Sequence, residues 1–202
     1  MVLTHDFIVW DRHGRDTFLL DSEDTLQIAI KDEEGIMAIN LARLTGALSM
    51  LPMAFYLCSN LTPSELIRGV TRQDGTVERL SADDLAACME GRVRLTTANT
   101  VGNASIYLQN SPACSRRPLC ADSFKRFLRI GLIFSPTDSI SHHSLHQRDG
   151  SLNNICENDK VCWDCITFLM TSDYERRRKL WEILPSIFGL EDWKHLRAAE
   201  SA

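Results

Sequence analysis

No stretch of this 202-residue sequence is apolar for long enough to cross a bilayer. The longest run, Leu48 to Cys58, is interrupted by Ser49 and Pro52. The chain also lacks a basic start followed by a long apolar core. Asp6 comes early and the apolar run from Phe7 to Trp10 is short, which argues against a secretory leader. Positive charge is not in excess: 22 Lys and Arg face 27 Asp and Glu, a formal net charge of -5. General binding to a phosphate backbone needs the opposite sign. The glycines are scattered, and neither GxGxxG nor GxxxxGK[ST] occurs, which removes the common nucleotide cradles. GxSxG and HExxH are missing as well. Together these absences imply a non-enzymatic protein of the cytoplasm or nucleus, without a membrane partner or a recognisable small-molecule substrate. In that compartment the seven cysteines are expected as thiols or metal ligands rather than disulfides.

What is present is the composition of a globular protein, 44% hydrophobic and 24% charged. The pattern is mainly α: one irregular helical domain with minor β. Residues 1–31 read as a poorly defined N-terminal extension, 32–195 as the helical domain, and 196–202 as a tail. Ile36, Ile39, Ala42 and Leu44 recur at roughly helical spacing before Gly46, a residue suited to ending a helix. LSMLPMAFYLC is apolar on nearly every side, which places it in the middle of the core, with Pro52 in a first turn. Thr62-Pro63-Ser64-Glu65 has the form of a capping box and the helix it starts stops at Gly69. Asp74-Gly75 predicts a small hairpin near residues 70–79. Ser81 opens the next helix, with Gly91 read as its end. The stretch RVRLTTANTVGNASIYLQN admits both helix and strand. Phe124, Phe127, Leu128, Gly131 and Leu132 form a helical stripe with Lys125, Arg126 and Arg129 turned away from it. SPTDSISHHSLHQRDGS, residues 135–151, reads as a long exposed loop. A last helix follows from Asp164. Met53, Phe55, Leu57, Phe127, Leu128 and Trp181 are expected to share a core.

The chemistry-bearing residues are few. The carboxylates of SEDT, KDEEG and SADD read as caps and solvated helix starts. Cys162-Trp163-Asp164-Cys165 is a C-x2-C pair, the turn that lets two thiolates converge on a tetrahedral ion. Cys114 and Cys120 form a looser C-x5-C pair in a proline-containing loop. Two readings stand side by side: a structural zinc site of Cys114, Cys120, Cys162 and Cys165, or four small buried hydrophobes. The zinc reading requires all four sulfurs to lie within about 4 Å of one another. A redox pair of the thioredoxin kind lacks its βαβ surroundings. Cys58 and Cys88 read as core residues. His142, His143 and His146 read as solvated side chains of the polar loop. Arg176 to Lys179 read as a solvated helix face pairing with Glu175 or Glu182. Trp181, Leu184, Phe188 and Trp193 read as packing.

INLARLTGALSMLPMAFYLCS, the L-x-x-G stretch, DGTVERLSADDLAACMEGR and the late CWDC…RRRKLWEILPSIFGL carry a resemblance. They resemble the helical region that follows the BTB/POZ domain in a large group of proteins from mushroom-forming fungi, over about Ile36 to Leu190. Leu41, Ala42, Gly46, Ala47, Leu51, Pro52, Ala54, Tyr56 and Cys58 match that group's motif. The resemblance implies a loop cysteine pair and a late C-x2-C, here Cys114, Cys120, Cys162 and Cys165. The residues ahead of Ile36 are too few for a BTB fold, so the dimerisation and adaptor roles of that domain do not carry over. The resulting expectation is a protein-interaction or scaffold module stabilised by structural zinc, its protein partner unknown. One alternative is a regulatory protein contacting nucleic acid through Arg176 to Lys179 and the Lys125, Arg126 and Arg129 face. Another is a hydrolase using His142 or His146.

Overall fold

The computed structural model describes Phe7, residues 32–134, residues 144 and 145, and residues 160–200. The fold is mainly α, as the sequence predicts. A 3-10 turn, Asp32–Glu34, leads into α1, Gly35–Thr45. A second 3-10 turn, Leu48–Met50, leads into α2, Leu51–Cys58, and then α3, Pro63–Arg68. The strands β1, Val70–Thr71, and β2, Val77–Glu78, pair antiparallel in the register Val70 with Glu78 and Thr71 with Val77. Among the described residues four further helices follow: α4, Ala82–Tyr107; α5, Arg117–Phe134; α6, Trp163–Ile187; and α7, Trp193–Glu200. The chain groups into two compact units. One comprises residues 1–94 and 182–202, the other residues 95–181.

In the first unit every residue of α2 is buried, the outcome expected of a helix apolar on all sides. α1 lays Ile36, Ala38, Ile39 and Ala42 inward, while Leu44 is 84% exposed. Leu44 belongs to a different sector of the 3.6-residue turn, so its spacing from Ile36 is only superficially helical. α1 ends at Gly46 in the left-handed conformation. The Thr62 capping box is complete: Thr62 Oγ1 accepts from the Glu65 amide and the Glu65 carboxylate accepts from the Thr62 amide. After α3, Gly69 turns the chain into the hairpin at φ 80° and ψ -178°, with the Glu78 carbonyl where a Cβ would stand. That is a conformation reserved for glycine. Asn40 holds the hairpin to α1 by donating to Glu78 Oε2 at 2.7 Å. Arg43 reaches Asp84 at 2.7 Å, and the Asp84 amide donates to Ser81 Oγ, so the SADD acids do serve the start of α4.

α4 does not stop at Gly91. It continues through the stretch that admitted helix or strand, as far as Tyr107. Gly91 is a packing glycine: a Cβ there would run into the Phe188 ring, which itself stacks on Phe55 at 5.2 Å. Gly91→Ala therefore improves helix propensity by about 1 kcal/mol yet is expected to destabilise by about 1–3 kcal/mol from overpacking. Thermal unfolding of the variant checks this, and a raised melting temperature would refute the packing role. Arg94 secures the same corner by donating to the Ile187 carbonyl at 3.0 Å. Past α6, the amides of Gly189 and Leu190 return to Ser186 and Pro185, closing the helix end. The residues read as a tail from 196 are helical to Glu200, whose carboxylate accepts from the Ser49 amide at 2.6 Å.

The second unit is built on α5 and the inner halves of α4 and α6. Its apolar cluster contains Ile106, Tyr107, Phe124, Val161 and Leu169, with Phe127 and Leu128 packed against it. The single core expected from sequence divides accordingly: Met53, Phe55 and Leu57 belong to the first unit, and Phe127, Leu128 and Trp181 to the second. Trp181, Leu184, Phe188 and Trp193 are buried, consistent with packing roles. The loop read as exposed at 135–151 lies mostly outside the described residues, but Ser144 and Leu145 are fully buried. The reason is an anchor that the sequence did not advertise. Arg176 Nη1 donates to the Ser144 carbonyl at 2.9 Å, and Leu145 supplies apolar area. Gly102 of α4 makes room for this arginine, since a Cβ there would come within 2.6 Å of Arg176 Cδ.

Candidate metal centre

Each of the four cysteines arrives from a helix start or from the loop beside one. Cys114 lies in the loop between α4 and α5, where Ser111 turns the chain: its carbonyl accepts from the Cys114 amide and its hydroxyl from the Ala113 amide. Cys120 sits in the first turn of α5. Cys162 immediately precedes α6 and Cys165 lies in its first turn, where the amides of Cys165 and Ile166 both donate to the Cys162 carbonyl. The positive end of a helix dipole favours negative charge in the first turn. Two such ends therefore serve three sulfurs.

The four sulfurs lie within 4.8 Å of one another. Cys114 and Cys162 approach to 3.7 Å. Sulfurs held tetrahedrally at Zn–S distances of about 2.3 Å are about 3.8 Å apart. The Cys114–Cys162 pair matches that spacing, and a pair at the 4.8 Å limit needs a contraction of about 1 Å. Cys120, Cys162 and Cys165 are buried and Cys114 is half-buried. Around them stand Ile106, Tyr107, Phe124, Val161 and Leu169. The two pairs do come together across the 41 residues that separate Cys120 from Cys162, to 4.8 Å rather than the expected separation of about 4 Å.

Packing alone does not account for the polar contacts of these sulfurs. The Cys162 amide donates to Cys120 Sγ at 3.4 Å. The Cys165 backbone acts to lower the Cys162 thiol and the Ser111 backbone to lower the Cys165 thiol. Asn110 Nδ2 points at Cys114 Sγ from 3.8 Å and is itself held by the Arg117 carbonyl. The Cys114 and Cys120 sulfurs therefore each have a nitrogen donor aimed at them. Asn110 and Ser111 escaped the sequence reading, because a donor to sulfur has no spacing rule to betray it.

The donors and neighbours divide the thiols. Burial alone would raise Cys162, but the Cys165 amide and hydrogen bonds from Cys165, Cys114 and Cys120 bring it down to about 7. Cys165 is pushed up, first by burial, with the Ser111 amide acting against it. Cys120 is also raised, again first by burial. Without a cation, one thiolate satisfies the group and further ones repel. A divalent ion would reverse that preference, since a coordinating thiol is deprotonated outright. The donor set consists of four soft sulfurs, the chemistry that selects zinc and kindred thiophilic ions over magnesium or calcium. The residues fit a zinc ion.

The other sites of interest resolve differently. Cys58 and Cys88 are both fully buried in the first unit, and a hydrogen bond with Cys88, then burial, raises the Cys58 thiol. They are core residues. Arg176 to Lys179 are not a uniform solvated face. Arg176 and Arg177 converge on Asp173 at 2.9 and 2.8 Å, with Asp173 and Arg177 buried. Only Arg178 and Lys179 are exposed, Arg178 pairing with Glu175 at 3.2 Å. The physical reason is Asp173 itself, which lies three and four residues before the two arginines on the inward side of α6. His142, His143 and His146 fall outside the described residues. No family model, curated protein or solved structure matches the chain.

Proposed function

We propose that this chain is a non-enzymatic interaction or scaffold module whose second unit is braced by one structural zinc ion on Cys114, Cys120, Cys162 and Cys165. The observation that carries the reading is the convergence of four sulfurs within 4.8 Å, two of them met by nitrogen donors from the Asn110 side chain and the Cys162 amide. Four small hydrophobic residues would need no such donors, whereas coordinating ligands are regularly oriented by a surrounding layer of hydrogen bonds. When bound, zinc would supply a cross-link between the loop before α5, the start of α5 and the start of α6. Four sulfur ligands leave no position for water or substrate, which is the arrangement of a structural site rather than a catalytic one. The C-x2-C turn at a helix start also suits thiol–disulfide exchange, but two further sulfurs crowd the pair. The protein's own residues thus serve to hold and orient, not to turn over a substrate.

An interaction role draws support from exposed apolar side chains. Trp163, inside the C-x2-C turn, is 76% exposed, and tryptophan is the residue type that most often anchors an interface. The resemblance to the region following a BTB/POZ domain, and residence in the cytoplasm or nucleus, belong to the same proposal. The nucleic-acid reading loses Arg176 and Arg177 to Asp173 and keeps the exposed Lys125, Arg126, Arg129, Arg178 and Lys179. Purified protein is expected to carry about one zinc per chain by elemental analysis. Cobalt substitution is expected to produce the intense visible bands and thiolate charge transfer of a tetrahedral sulfur site. A chain that takes up neither ion would refute the zinc centre.

A further inference from the structure

We propose that Cys114 is a peroxide-reactive site whose oxidation, resolved by Cys162, dismantles the metal centre. The inference rests on the zinc reading and adds the reagent class and the order of events. Three observations select this pair. The first is access. Cys120 and Cys165 have no exposed surface and Cys162 only 6%, whereas Cys114 is half-buried. A small neutral oxidant such as hydrogen peroxide therefore meets Cys114 first.

The second is distance. Cys114 and Cys162 Sγ stand 3.7 Å apart, in a cluster that reaches 4.8 Å. A disulfide of about 2.05 Å needs the two to close by about 1.7 Å. The third is freedom to make that movement. Cys114 belongs to an irregular loop, while Cys120 and Cys165 are fixed in helical first turns.

The chemistry balances with peroxide as the only added reagent. The Cys114 sulfur attacks one peroxide oxygen, the O–O bond breaks, and a sulfenic acid forms with loss of hydroxide. The Cys162 sulfur then attacks the sulfenic sulfur, an S–S bond forms, and a second hydroxide leaves. Two electrons pass from the two sulfurs to one peroxide, and buffer protons convert both hydroxides to water. Two of four ligands are then lost, and the ion passes to water or to a chelator. A thiol reductant returns both sulfurs to the ligand state.

The test is a stepwise peroxide titration of the zinc-loaded full chain in the absence of air. Zinc release is followed with a chromogenic chelator, and remaining thiols are blocked by alkylation before peptide mapping. The sequence favours the mapping. Cleavage after Arg116 separates Cys114 from Cys120, and cleavage before Asp164 separates Cys162 from Cys165. The expected result is a Cys114–Cys162 disulfide appearing in step with zinc release, with about one zinc lost per peroxide consumed. A first disulfide joining Cys162 to Cys165, or any pair with Cys120, overturns the proposal. So does oxidation of Cys114 that leaves zinc bound. If the chain holds no zinc at the outset, the metal reading fails separately. The same map then decides the sulfur chemistry alone: the Cys114–Cys162 bond supports it and any other bond refutes it.

Discussion

Chelation of zinc at neutral pH is expected to abolish the cooperative folding of residues 95–181. The cause is the size of the contribution relative to what it stabilises. Structural zinc sites bind with apparent free energies on the order of 10 kcal/mol at pH 7, comparable to the whole net stability of a domain, about 5–15 kcal/mol. In this unit the ion would join the loop before α5 to both helix starts, and its apolar surroundings include Ile106, Tyr107, Phe124 and Leu169. Removal leaves four clustered sulfurs that can share only one negative charge near neutral pH and no cross-link between the two helix starts. Hydrogen exchange along residues 117–129 and 163–181 should rise by orders of magnitude on chelation, and helical circular dichroism should fall. Cys162→Ser should produce the same change without chelator, because it removes one of the four sulfurs that would hold the ion. Unchanged protection in a sample that demonstrably lost its zinc would refute the role of the ion in folding.

Asp173→Asn is expected to cost about 3–5 kcal/mol, the range for breaking a buried ion pair from one side. Asp173 Oδ1 accepts from Arg176 and Oδ2 from Arg177, at 2.9 and 2.8 Å. Side-chain exposures are 6% for Asp173 and 11% and 5% for the arginines, so water cannot take over the lost charge. The amide keeps the shape of the carboxylate but removes the charge on which both guanidinium groups converge. For a chain of this length the change should lower the melting temperature by roughly 10 °C. Glu175→Gln on the same helix is the control. Its partner Arg178 is 49% exposed, and exposed pairs contribute about 0–1 kcal/mol. Equal melting shifts for the two variants would show that the Asp173 cluster is not the buried unit described above.

Local capping chemistry made much of the fold legible in advance. Thr62 to Glu65, Asp74-Gly75, Ser81 and Gly46 each specify their element through contacts within a few residues, and such signals survive in any context. The end of α4 was not legible, because glycine has two uses. At Gly46 it supplies a left-handed φ, whereas at Gly91 it supplies room for the Phe188 ring. The second half of α4 was ambiguous for a related reason. Its buried residues include Leu95, Asn99, Asn103 and Ile106, so a true inward face carries polar side chains and hydrophobic periodicity fades. The arginine run was misread by counting charges without asking which way Asp173 points. For the cysteine cluster, the C-x2-C spacing pointed to thiolate chemistry, but no local rule could bring Cys114 and Cys120 to it.

The first unit has one property that bears on how the protein is made. It is discontinuous, with residues 1–94 and 182–202 flanking the second unit in sequence. On a ribosome the chain emerges from its N-terminus at about 5–20 residues per second. The all-apolar α2 is therefore synthesised well before α7, whose Glu200 receives the Ser49 amide, and before Phe188, which stacks on Phe55. From Cys58 to Glu200 the wait is roughly 7–30 s at that rate. During this interval the most apolar segment of the protein is without its final covering and is a ready client for holding chaperones. The intervening unit, by contrast, has its last cysteine in place at residue 165 and can close before the surrounding unit is complete.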